Sequence, residues 1–152
     1  TNRDFLKDPT LIDFKGENPE TGSRIAQLFP HTVITKHMDV INVRFATPIN
    51  VECTEVHYAY FSHDDDSAEL VRHRIRQSSN LLGPCGMVSM EDASIFQRIH
   101  VGANTPGNAA FQKGVKRLDE VSYDVKQNDE SGNLPKWNYY CDLMGFERAG
   151  VA

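Results

Sequence analysis

The sequence predicts an α+β domain, an antiparallel sheet with helices packed on one face. Three observations carry this. Residues 32–61 alternate with the period of two that marks strands, residues 66–82 switch to helical spacing, and a second apolar helix follows a Gly-Pro-Cys-Gly break at 83–86. At 152 residues, one domain spanning residues 1–152 is the default, and it is long enough to bury a core.

Residues 1–30 are broken by Pro9, Gly16, Pro19, Gly22 and Pro30, and read as loops with one short helix. Thr32–Thr35 (TVIT) is short and β-branched. In Ile41–Phe45, Ile41, Val43 and Phe45 share one face while Asn42 and Arg44 take the other, the pattern of a half-buried strand. Pro48 and Asn50 supply a turn. Thr54, Val56, Tyr58 and Tyr60 then face one way, and Glu55, His57, Ala59 and Phe61 the other. The three runs read as an antiparallel meander.

A helix follows, with Asp66 as N-cap, Glu69 completing a capping box, and Leu70, Val71, Ile75 and Leu82 as its apolar stripe. Acids lead, and Arg72, Arg74 and Arg76 follow, which suits the helix dipole. His63–Asp66 could instead be a metal cluster, but an acidic helix start explains the same residues. The next helix is expected from Ser89 to about Val101. Residues 103–134 are rich in Gly, Asn and Asp, with a short strand near Val121–Val125. A last helix is expected from Pro135, a favoured first-turn residue, with Trp137, Tyr140, Cys141 and Met144 on its apolar face and Gly145 ending it.

Composition is that of an ordinary soluble domain, 39% hydrophobic and 24% charged. The formal charge of −5 gives no reason to expect nucleic acid or an anionic membrane as partner. No apolar run approaches a membrane span, and TNRDFLKDPT has no signal-peptide pattern. Cys53, Cys85 and Cys141 are far apart with no CxxC, which points to reduced thiols in a cytoplasmic protein.

Asp92 is the residue with the most chemistry in prospect. Ile95, Phe96 and Ile99 lie three, four and seven residues after it, so it shares the apolar side of its helix. A carboxylate there is costly unless paired, hydrogen-bonded or metal-bound. A capping box, Ser89-Met90-Glu91-Asp92, is the bland explanation. Glu91, spaced with Ser94 and Arg98, faces solvent.

The stretch LLGPCGMVSMEDASIFQR (81–98) resembles the C-terminal part of the catalytic domain in Rieske-type aromatic-ring-hydroxylating oxygenase alpha (large) subunits, which carry a "GPaG-x-x-s-x-[ED]-D" segment between two helices. The resemblance extends upstream through TEVHYAYF and DDDSAELVRHRIRQ and downstream to YYCDLMGFER, covering roughly residues 28–148. It implies a helix-grip (START/Bet v 1-like) domain in which Asp92 is the carboxylate of a two-His-one-carboxylate site for mononuclear non-haem Fe(II). It further implies insertion of dioxygen into an aromatic small-molecule substrate. Electrons would come from NAD(P)H through a reductase, often with a ferredoxin, and a Rieske [2Fe–2S] cluster. A beta subunit and a trimer of alpha subunits are further implications.

The chain departs from that pattern. It has neither the Cys-x-His nor the Cys-x-x-His pair of a Rieske site, so no Rieske domain is expected within it. It also lacks the His-x-x-x-x-His helix. His31 and His37 have five residues between them and lie beside or on a predicted strand, and His57 and His100 are expected to be structural or exposed. The chain is therefore expected to be the C-terminal half of a catalytic domain, to supply one iron ligand of three, and to be inactive alone. By the same resemblance, Leu82, Met87 and Val88 line the substrate pocket, with His31 and Val33 as weaker candidates. Cys85 replaces a small residue and is given no redox role. Two alternatives are a metal-free helix-grip module for a hydrophobic ligand, and a structural domain that self-associates, as a dimer, through exposed sheet edges.

Overall fold

The structure, a computed structural model, describes residues 7–107 and 133–147, apart from the side chains of Thr10 and Leu134. The chain divides into two compact units, residues 1–105 and 106–152, and each is described by itself. The expected strand near Val121–Val125 lies outside the described residues.

The first unit holds four strands: β1 (Arg24–Leu28), β2 (Thr32–His37), β3 (Val40–Asn50) and β4 (Cys53–Tyr60). They pair antiparallel in sequence order. Two helices follow, α1 (Ala68–Leu81) and α2 (Met87–Ala103). The fold class is α+β, as the sequence predicts. β1 is an addition: RIAQL falls in the segment read as loops, and is an exposed edge strand with no buried face to leave a periodic signal. β3 runs on through Pro48 to Asn50, with a register irregularity between those two residues. Such a bulge tolerates a proline inside a sheet. The turn itself is Val51–Glu52, where the Asn50 side chain accepts from the Glu52 amide at 2.9 Å.

Alternation survives in the structure, but with the opposite face covered. Asn42 on β3 and Thr35 on β2 are completely buried, whereas Phe45 and Ile34 on the other face remain more than a third exposed. Helix α1 shows the same inversion. Its buried face is His73, Arg74, Gln77, Ser78 and Leu81, while Ile75 of the expected apolar stripe is half exposed. The cap also differs. Ser67, not Asp66, caps α1 by accepting from the Leu70 amide at 3.2 Å. Asp66 accepts instead from Arg74 Nε at 2.7 Å. Arg74 is therefore no surface partner of the helix dipole but a buried cation.

What these faces bury is a polar network around the β2–β3 turn. Asp39 is fully buried, and its carboxylate accepts from the amides of Lys15, Gly16 and Glu17 at 2.6, 3.1 and 2.7 Å. His73 Nε2 lies 3.0 Å from its second oxygen, and Arg74 Nη1 donates to the Asp39 carbonyl at 2.8 Å. Gln77 accepts from the Asp39 amide at 3.0 Å and donates to the Asp13 carbonyl at 2.9 Å. These bonds tie the leading loop, the turn and α1 together. They also hold Met38 at φ 56°, an unfavourable backbone for a non-glycine residue. The apolar complement is small: Val40, Leu81 and Leu82, with Met38 and Val88 against them.

Glu17 closes the network, 2.6 Å from Lys36 Nζ and 3.0 Å from both Arg74 Nη2 and His63 Nε2. Chiefly the Lys36 ammonium, with His63 and Arg74 assisting against the opposing effect of burial, brings its carboxyl from 4.5 down to about 2. A folded value below the unfolded one means stability that is complete above pH 4.5 and is lost as pH falls towards 2. Glu17→Gln should therefore melt lower than wild type at neutral pH, with the gap narrowing from pH 4.5 downward in melts recorded across the acid range. A gap that stays constant to pH 2 would contradict this.

In the second unit, α3 (Leu134–Met144) has Pro135 in its first turn, as expected. It stops at Gly145, whose φ of 69° is the left-handed conformation glycine adopts freely. The Phe146 amide closes the end on the Cys141 carbonyl at 2.9 Å. Trp137 meets Tyr140 edge-on at 5.8 Å, and Tyr140 lies 6.0 Å from Phe146.

Candidate active site

The Gly-Pro-Cys-Gly turn places α2 over the sheet. Gly86 donates to the Gly83 carbonyl at 2.8 Å, and its own carbonyl accepts from Met90 at 2.9 Å, so the helix begins at Met87. This corrects the expected start. Ser89 is the third residue of the helix rather than its cap, Gly86 is the N-cap, and no side chain caps this end. The Ser89–Asp92 capping box does not form. Asp92 lies in the second turn, half-buried, and among the described residues its carboxylate takes part in no hydrogen bond or ion pair. The bland explanation of the acid on the apolar face is thereby removed.

Asp92 lines a cavity of about 300 Å³ between α2 and the sheet. The helix contributes Ser89, Asp92, Ala93 and Phe96, the spacing of one helical face. The sheet contributes His31 just before β2, Val33 on β2, Arg44, Phe45 and Ala46 on β3, and Val56 and Tyr58 on β4. Register explains this wall. Arg44 pairs with Val33 on one side and Tyr58 on the other, and Ala46 pairs with Val56, so these side chains share a face. The walls are mainly apolar, with a cation on the sheet side and a carboxylate on the helix side.

Of the residues expected at the site, Asp92, His31 and Val33 come together at this cavity. Leu82 lies in the small apolar cluster and Val88 packs against it, while Met87 is more than half exposed. These three are not among the cavity-lining residues. His57 stacks on Phe45 at 4.6 Å and is not itself among the cavity-lining residues. His100 lies near the end of α2 beside Asn104. Cys85 is an exposed free thiol. Among the described residues, no three His, Cys, Asp or Glu side chains converge as a metal site. No helix of the described residues is long and apolar enough to cross a membrane.

The sequence reading missed Arg44, Tyr58, Ser89 and Phe96. A signal for Phe96 was present, since it lies four residues after Asp92. Arg44 was hidden because it sits on the polar side of an alternating strand, the side ordinarily given to solvent.

An antiparallel sheet roofed by a helix, with a carboxylate free of local duties on the wall of an apolar cavity, defines an α+β domain with a cleft between helix and sheet. No protein-family model matches the chain. Curated relatives do. The chain is 35% identical over 91 residues to a terephthalate 1,2-dioxygenase terminal oxygenase component, subunit alpha 2, of Comamonas sp., covering 59% of this chain and 22% of the relative. It is 29% identical over 142 residues to the anthranilate 1,2-dioxygenase large subunit of Burkholderia cepacia, covering 93% and 33%. It is 28% identical over 95 residues to the large oxygenase component of a salicylate 5-hydroxylase of Ralstonia sp., covering 60% and 22%. The chain is similar to these oxygenase large subunits and spans about a fifth to a third of their length.

Proposed function

We propose that this chain forms the C-terminal portion of the catalytic domain of an aromatic-ring-hydroxylating oxygenase, and that Asp92 is the carboxylate arm of its mononuclear iron site. The observation that carries the proposal is the placement of Asp92, half-buried on the cavity wall with no capping or ion-pair partner among the described residues. The residues present fit one arm of such a site, and the two histidines would come from sequence beyond this chain. Iron(II) held on one face by three protein ligands keeps positions open for dioxygen beside a bound substrate.

The chain's own side chains do the rest of the work at this wall. Val33, Ala46, Val56 and Phe96 offer apolar contact for a ring and keep water from its faces. Leu82 and Val88 anchor the start of α2, and so hold Asp92 in place from behind. The three relatives are named for terephthalate, anthranilate and salicylate, each a benzene ring bearing a carboxylate, so an aromatic acid is the substrate class proposed here. A helix-grip domain, a Rieske [2Fe–2S] cluster and reductase or ferredoxin donors belong to the same proposal for the complete assembly.

The test is Asp92→Ala and Asp92→Asn in the complete alpha subunit, with bound iron measured by metal analysis alongside product formation. Iron retention and turnover should each fall about a hundredfold or more. The melting curve should move little, because a half-exposed side chain with no partner holds nothing in place. Retained iron and surviving turnover in Asp92→Ala would remove the assignment.

A further inference from the structure

We propose that Arg44 is the specificity-determining anchor for the substrate carboxylate, fixing the ring with its acid group against the sheet and its opposite edge towards α2. This deepens the aromatic-substrate reading above and rests on it.

The first observation is an unmet donor. Arg44 Nε is buried without a hydrogen-bond partner, and the one side-chain bond of the guanidinium is a long one, Nη2 to Thr35 Oγ1 at 3.4 Å. None of the ion pairs among the described residues includes Arg44. Arg74, which is fully buried, shows the alternative. Arg74 donates to Asp66, Glu17 and the Asp39 carbonyl, so its fork is spent inside the fold. A buried donor left without an acceptor is costly, and on Arg44 only Nε is left so. Since Arg44 lines the cavity, an anionic acceptor can reach it there from solution.

The second observation is Ser89, on the opposite wall of the same cavity. It is only 6% exposed, and its hydroxyl also has no partner. Two unsatisfied polar groups in one mostly apolar cavity point to a ligand with polar groups at more than one position.

Shape and charge then select the ligand. A planar guanidinium fork matches a carboxylate through two parallel hydrogen bonds. Val33 and Tyr58 flank Arg44 in register, and Ala46 and Val56 form the neighbouring row, so the surroundings of the fork suit the flat faces of a ring. About 300 Å³ is the size of a site for a single substituted ring. Arg44 draws an acid group to the sheet wall, while Ser89, Asp92, Ala93 and Phe96 on the helix wall offer it no cationic side chain. One orientation is thus favoured over its reverse, with the ring edge remote from the carboxylate next to α2.

The test is calorimetric or NMR titration of the full 152-residue chain with benzoate and with benzamide, a neutral isostere. Wild type should bind benzoate at least about tenfold more tightly. Arg44→Met should erase that preference while benzamide affinity is unchanged, which also shows that the cavity is intact, and Arg44→Lys should restore part of it. Equal affinities in wild type, no binding of benzoate, or an Arg44→Met variant that weakens both ligands alike would each overturn the assignment. Equal affinities would leave the aromatic reading and the role of Asp92 standing, since those are decided by iron retention in the Asp92 variants.

Discussion

Asp39→Ala is expected to unfold this protein or come close to it. The substitution removes the acceptor of three backbone amides, from Lys15, Gly16 and Glu17, and the partner of buried His73. It brings no apolar contact in return, because Asp39 is surrounded by polar groups rather than by the small Val40–Leu81–Leu82 cluster. Each buried donor left without a partner costs about 1–3 kcal/mol, and breaking a buried charged contact typically costs about 3–5 kcal/mol. A loss of about 4 kcal/mol is a large share of the roughly 5–15 kcal/mol that holds a domain of this kind together. Thermal melts followed by circular dichroism should show a fall of more than about 10 °C. Asp39→Asn keeps the shape and one carbonyl acceptor, and should lose about half as much. If Asp39→Ala melted within about 2 °C of wild type, the network would be ornament and the apolar cluster the true support of the fold.

This dependence on a polar core explains which parts of the fold were legible in the sequence. Periodicity is a local signal, and it located β2, β3, β4, α1, α2 and α3 because each alternates or repeats over its own length. It does not say which face is inward when the inward face is polar. Asn42, Thr35, His73, Arg74 and Gln77 look like solvent residues one at a time. His73, Arg74 and Gln77 become interior residues because Asp39, more than thirty positions away, meets all three, with Glu17 reaching Arg74 and Asp13 reaching Gln77. The caps misled for a related reason. Asp66 and Ser89 both have cap chemistry, but Asp66 accepts from Arg74 and Ser89 faces the cavity, leaving Ser67 and Gly86 to do the capping. Asp92 was legible because an acid among Ile95, Phe96 and Ile99 is an anomaly within a single helix. Arg44 was not, because its significance lies in a buried Nε donor left unmet, which depends on packing and leaves no trace in a local pattern.

Gly86→Ala should separate the role of the Gly-Pro-Cys-Gly turn from ordinary loop tolerance. The backbone at Gly86 has φ −73° and ψ 155°, a conformation open to any residue, so glycine is not required there for its torsions. Space is the requirement. A Cβ would lie 2.7 Å from the Leu81 carbonyl carbon, 2.8 Å from its oxygen and 2.9 Å from the Gly83 nitrogen, all backbone atoms that cannot swing aside. Gly83 is as tight, with a Cβ 2.6 Å from the Tyr60 hydroxyl and 2.7 Å from the Ser79 carbonyl. Relief at Gly86 must come from opening the turn, which shifts the first residues of α2 and carries Ser89 and Asp92 with them. The stability cost should be about 1–3 kcal/mol, as for other overpacked sites. The functional cost should be of the same order, since displacing a reacting group by about 1 Å can lower turnover about a hundredfold, or about 2.7 kcal/mol. Gly102→Ala is the control: the same methyl group meets nothing within 4 Å inside α2, and should stabilise the protein by about 0.5–1 kcal/mol. Thermal melts of the two variants should therefore move in opposite directions, and benzoate titrations should show binding lost at Gly86 and kept at Gly102. Were Gly86→Ala to retain wild-type affinity, the tight turn would matter for chain reversal alone, and the placement of Asp92 over the sheet would have to come from the contacts of α2 itself.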